Sequence, residues 1–206
     1  MDGDTFRQEL RDEFETELAR LGSSKALYAV TGGEMDGPSI RGAAAGEASA
    51  VGEILEEWAE DEADGKAAEL FAAVAAAART HAEESGAESE RAEMGRELYD
   101  PLARFDATLE RVGGLVARQI VAGELAGQMV GYFVGDADPA TADTFRSIRS
   151  DLGDDLDDAT ATLESVCEDD DDWARAREAG GAVIEAAYDY YVQQLESMGI
   201  KPKNVC

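Results

Sequence analysis

The 206-residue sequence predicts an all-α protein, an antiparallel four-helix bundle with additional N- and C-terminal helices. Three observations predict it. Apolar residues recur at intervals of three and four, the spacing that lines up one face of a helix. β-branched residues are sparse and never alternate over a useful length, so nothing reads as a strand. Pro38, Pro101, Pro139 and Pro202 stand where a helix begins or the chain ends, positions that a residue without an amide proton tolerates.

The elements follow in order. Phe6, Leu10, Phe14, Leu18 and Leu21 form one apolar stripe on an otherwise charged rod. "LGSSK" breaks and restarts the chain, with Ser23 or Ser24 as N-cap, and a short helix through Tyr28 ends at Gly32-Gly33. "GPS" at 37–39 opens a long helix to about Glu62, and "ADGK" at 63–66 turns into another that ends near Glu84. The polar stretch 85–95 reads as a loose connection or a solvated helical turn. Pro101 is expected to start a helix reaching Gly135. In "GDADPATAD", Asp138 caps a helix that begins at Pro139 and runs to about Cys167. "EDDDD" then opens a last helix, Trp173 to Met198. The chain divides into N-terminal helices over 1–36, a bundle core over 37–167 and a C-terminal helix over 172–199, all in one domain.

Charge narrows the function. The net charge is −28, and lysine is confined to Lys25, Lys66, Lys201 and Lys203. At ordinary ionic strength so much like charge loosens a compact state, whereas molar salt cuts the screening length to roughly 3 Å. The composition resembles that of proteins from a salt-loving archaeon. No cluster of cations is available to displace counterions from phosphates, so nucleic acid is not an expected partner. The start, "MDGDTFRQEL", has no apolar run of the secretory kind. The most apolar region, 112–134, is interrupted by Arg118, Gln119, Glu124 and Gln128, which disfavours a membrane span. A cytoplasmic location is expected. Cys167 and Cys206 form neither a metal-type spacing nor a disulfide framework.

Two segments differ from the rest. "IRGAAAGEASAVGEIL" at 40–55 and "VGGLVARQIVAGELAGQMVGYFVG" at 112–135 are small or apolar almost all round. Glycine costs a helix about 1 kcal/mol against alanine, and close approach of two such helices would compensate. Glu47 and Glu124 sit in their apolar centres. A lone buried carboxylate costs several kcal/mol unless paired, protonated or metal-bound. Two readings stand: an inward-facing carboxylate pair, or glutamates at a wet edge or paired with Arg41, Arg118 or another arginine. The two segments also echo one another. Each has Gly-Glu, then an aromatic (Trp58 or Phe133), an acid-rich turn, and a phenylalanine early in the next helix (Phe71 or Phe145). Two copies of a helical hairpin make a four-helix bundle.

With these residues the sequence resembles the ferritin-like superfamily, in particular its rubrerythrin-like branch, over roughly residues 40–165. The resemblance implies a metal site between the helices, with Glu47 and Glu124 as the first-helix glutamates and His81 as a histidine ligand. Iron or manganese would be the metal. The ligand set is reduced. Glu-x-x-His has become Ala78-x-x-His81, and Asp155 stands where the second histidine is expected. Glu84, one turn after His81, is the substitute ligand of a shifted site, and Asp155 or Asp158 are further substitutes.

Tyr188, Tyr190 and Tyr191 read as core and interface residues, since Val183, Ala187, Tyr191 and Leu195 make a helical stripe. Two function classes result. One is a ferritin-like bundle with a degenerate metal site, redox-related or non-catalytic. The other is an acidic all-helical accessory protein, such as a redox-enzyme maturation chaperone or an oligomeric scaffold, working as a homodimer or with a protein partner.

Overall fold

Aspartate sets the beginnings of five helices. Asp2 accepts from the Thr5 amide at 2.8 Å, Asp36 from Ser39 at 2.8 Å and Asp138 from Thr141 at 3.1 Å. Asp64 and Asp169 each accept from two amides at 3.0 Å. Each cap satisfies amides that the first turn leaves without a helical partner, a contribution of about 1 kcal/mol.

The structure, a computed structural model, describes residues 1–87 and 96–202. Its helices are α1 (Gly3–Glu13), α2 (Glu15–Leu21), α3 (Ser24–Val30), α4 (Gly37–Asp61), α5 (Gly65–Glu84), α6 (Thr108–Gly135), α7 (Pro139–Val166) and α8 (Asp170–Ser197). Two 3-10 turns, Arg96–Tyr99 and Leu102–Arg104, precede α6. The described residues include no strand, and no helix among them is long and apolar enough to cross a membrane. Most of the predicted 85–95 connection, and Cys206, lie outside the described residues.

Two predicted boundaries need correction. The first rod is broken at Phe14, which leaves helical geometry at φ −106°, ψ 28° and separates α1 from α2. The kink places its ring against Gly181 of α8, where an added Cβ would come within 3.0 Å of it. Pro101 starts only a 3-10 turn, and α6 begins at Thr108. Phe105 is extended between them, and its ring fits the space left by Gly114.

Helices α4 and α5 form one antiparallel hairpin. Trp58 meets Phe71 edge-on at 5.2 Å near the turn, and Gly52 lies against Ala78 further along. Helices α6 and α7 form the other, closed near its turn by stacking of Phe133 on Phe145 at 5.3 Å. The hairpins are placed head to tail. Phe133 packs on Gly37 at the start of α4, whereas Arg111 in the first turn of α6 reaches the end of α4. Its guanidinium pairs with both oxygens of Asp61 at 2.9 and 3.2 Å, contacts Glu62 at 3.3 Å and lies over the Trp58 ring. The end of α5 and the start of α6 therefore lie at opposite ends of α4, and the described turn Arg96–Tyr99 between them packs on α4. Helix α8 runs beside α6, with Ala176 and Gly180 in its first half against Gly113 near the start of α6, and α1–α3 cover α7, α8 and α6.

Surrounded in this way, α6 is buried without interruption from Arg111 to Ala122, as a helix apolar on every face requires. The expected close contact between the two small-residue helices is not what their glycines serve. Helix α4 packs chiefly on α5, and α6 on α7 and α8. The tightest approach is Gly113 on α8, where a Cβ would stand 2.4 Å from the Ala176 carbonyl oxygen. Between α4 and α6 there is instead a cavity.

Candidate functional site

Arg118 lies in the continuously buried part of α6 and is 1% exposed. A guanidinium there has no route to solvent, so its charge must be met inside the protein. Glu47 meets it from α4. Arg118 Nε donates to Glu47 Oε1 at 3.0 Å, and Nη2 donates to the same oxygen. Nη1 donates to the side-chain carbonyl of Gln119, whose amide donates to Asp155 on α7 at 3.1 Å. From α5, His81 Nε2 stands 3.3 Å from Asp151 Oδ2, also on α7. The Tyr99 ring, from the first 3-10 turn, lies against the guanidinium at 5.8 Å. Hydrogen bonds join Glu47, Arg118, Gln119 and Asp155, and Asp155 interacts electrostatically with His81 and Asp151. This polar network thus draws on four helices, with the Tyr99 ring of the turn packed against it.

Its electrostatics follow from burial. Burial opposes the charge on Arg118, but Glu47 beside it holds the guanidinium above its ordinary range. Burial also pushes the Asp155 carboxyl upward, with Arg118, His81 and the Gln119 hydrogen bond pulling against it. Tyr99 is raised well above the phenolic range by burial and by Glu47, so its hydroxyl keeps its proton.

Glu47, His81 and Arg118 border a cavity of about 40 Å³ whose remaining wall is mainly apolar, including Ala48, Ala122, Met129 and Phe145. Of the four residues expected to hold metal, Glu47 and His81 share this cavity. Glu124 and Glu84 are not there. Glu84 is exposed at the end of α5. Glu124 points away and pairs with Arg11 at 3.2 Å beneath the N-terminal helices, with 34% of its side chain exposed.

The displacement of Glu124 has a geometric reason. The hairpins correspond through their aromatic pairs, Trp58 with Phe71 and Phe133 with Phe145. Glu47 precedes Trp58 by eleven residues, but Glu124 precedes Phe133 by nine. A slip of two residues turns a helical side chain by about 200°. The counterpart of Glu47 is Ala122, which does line the cavity. The same register matches His81 with Asp155, each ten residues after its phenylalanine, and both belong to the network. Asp158 is exposed.

Gln119, Asp151 and Tyr99 are network members that sequence reasoning missed. The adjacent Arg118-Gln119 pair inside an apolar run was the available signal for the first. Asp151, one turn before the already named Asp155 on the same face of α7, was hidden in an acid-rich segment. The cysteine and tyrosine expectations have clear positions too. The Cys167 thiol is half-buried, and burial with Asp172 nearby pushes it up to about 11, away from thiolate chemistry. Val183, Ala187, Tyr191 and Leu195 form the buried stripe of α8, and Tyr188 stacks on Tyr191 at 5.8 Å.

The donor set does not fit a metal pair. No group of three or more histidine, cysteine, aspartate or glutamate side chains comes together among the described residues in a way that would hold an ion. The carboxylate best placed for one is already engaged by a fixed cation. No family model matches the chain, and comparison with curated proteins and with solved structures gives no significant match.

Proposed function

We propose that the chain is a ferritin-like four-helix bundle without metal chemistry, in which Arg118 supplies internally the positive charge that a metal would otherwise bring. The carrying observation is the buried Arg118–Glu47 pair at the centre of a network fed by α4, α5, α6 and α7. Two head-to-tail hairpins joined by one long return connection support the bundle topology, because a single such crossover distinguishes ferritin-like bundles from simple up-and-down ones. The matched aromatic pairs support an origin in a repeated hairpin.

A guanidinium in this place satisfies the carboxylate but offers no open coordination position, no Lewis acidity and no redox couple. The bundle then acts as a non-catalytic binding or scaffold protein. Its charge of −28 suits it to concentrated salt inside a halophile's cytoplasm. Metal analysis of protein purified in molar KCl and incubated with Fe²⁺ or Mn²⁺ tests the reading. Less than one ion per ten chains is the expected result. One or two ions per chain, lost on Glu47→Ala or His81→Ala, would overturn it.

A further inference from the structure

The cavity between α4 and α6 holds more than the ion pair uses. Both Arg118 donors directed at Glu47 go to Oε1, so Oε2 is not used by that pair. His81 approaches Asp151 through Nε2, which leaves its other ring nitrogen outside that contact. Ser85, whose hydroxyl donates to the His81 carbonyl at 2.7 Å, borders the same space and keeps its acceptor capacity.

A second observation is independent of these. The Tyr99 hydroxyl is fully buried and has no hydrogen-bond partner among the described residues. Its ring lies on Arg118, and the preceding Leu98 lines the cavity. A buried hydroxyl left unsatisfied costs roughly 1–3 kcal/mol, so a partner is strongly favoured.

The size of the space selects that partner. An apolar cavity that takes benzene measures roughly 150 Å³, and one water needs roughly 10–15 Å³. At about 40 Å³ the cavity is far too small for a ring and has room for one to about three waters. Polar groups at one end supply the two to four partners that a buried water requires.

We propose that this cavity is an internal hydration site, in which one to about three waters lie between Glu47, His81, Arg118 and Ser85 and one of them serves the Tyr99 hydroxyl. These waters are constituents of the fold. They complete the network at its polar end, while the alanines opposite leave the space that they fill. Neither the site nor its occupant depends on the ferritin-like reading.

The test is water-oxygen magnetic relaxation dispersion on the intact chain in high salt, which counts long-lived internal waters. The parent is expected to show at least one from this cavity. Ala122→Leu, which projects into the space, is expected to lose them. Tyr99→Phe removes only the hydroxyl, keeps the ring against Arg118, and is expected to lose about one. Xenon, which enters dry apolar cavities, is expected to leave the parent unchanged. Equal signals from the parent and Tyr99→Phe, or uptake of xenon into the cavity, would overturn the proposal.

Discussion

Glu47 and Glu124 begin from nearly the same local sequence, a Gly-Glu step in a helix of small residues, and end in opposite surroundings. Glu47 faces a guanidinium that is 2% exposed, whereas Glu124 faces Arg11, which is 39% exposed. Their immediate neighbours do not decide this difference. Distance from the hairpin turn decides it, because the aromatic pair beside each turn fixes which face of the helix looks inward. Small-residue composition says that a helix can be approached closely. It does not say from which side.

The largest expected effect breaks this comparison directly. Glu47→Ala leaves a buried guanidinium unpaired and should cost about 3–5 kcal/mol of unfolding free energy. Glu124→Ala removes a half-exposed pair and should cost less than about 1 kcal/mol. Urea titrations of both variants in molar KCl check this, and equal losses would contradict the placement of the two residues.

A smaller effect is expected when both partners of the inner pair go together. Glu47→Leu combined with Arg118→Met replaces two desolvated charges by apolar side chains. The double variant should recover most of the stability lost by Glu47→Ala, since buried ion pairs are often matched or exceeded by hydrophobic replacements. Failure to exceed the single variant would mean that the network has a value beyond charge pairing.

Acidity sharpens the contrast within α7. Burial raises the Asp155 carboxyl, so its stabilising contribution is full below the unfolded value and is lost as pH rises through the folded one. Asp155→Asn imitates the protonated form and can still accept from Gln119. Its advantage in melting temperature should be absent near pH 3.5 and present at neutral pH. Asp138 runs the other way. The Thr141 hydroxyl and amide hold its carboxyl below the usual range, so its stabilisation is present at neutral pH and lost as pH falls through that lowered value. A melting series of Asp138→Asn against pH should show a deficit that closes on acidification.

Salt separates the two glutamate pairs in a gentler way. In a double-mutant cycle, coupling between Arg11 and Glu124 should fall towards zero from 0.1 M to 3 M KCl, while coupling between Arg118 and Glu47 persists, because screening acts on exposed charges. The smallest effect belongs to the residue before Glu124. A Cβ at Gly123 would meet nothing within 4 Å, so Gly123→Ala should stabilise by up to about 1 kcal/mol. A loss there would show that the face is covered.

Periodicity and capping made most of the helices legible, since apolar spacing and the aspartates before five of the starts are local signals. The breaks at Phe14 and Phe105 were not legible. Each exists so that an aromatic ring can fill space beside a glycine in another helix, Gly181 or Gly114, and no local pattern records that contact. The candidate site was half legible. Glu47, His81 and Arg118 stood out as polar residues in apolar surroundings. Asp155 was named only through the resemblance, and Asp151 and Tyr99 were not named at all, because an acid among acids and a tyrosine after a leucine carry no mark until the fold brings Asp151 to His81 and Tyr99 to the guanidinium.

The uninterrupted burial of α6 from Arg111 to Ala122 has a consequence for how the molecule opens. With neighbours on every side, its amides can reach deuterated solvent only when the other helices leave together. Exchange there should report global unfolding, while the ends of α1 and α3 exchange through local fraying long before. The slowest protons in the molecule should therefore surround its most deeply buried charge.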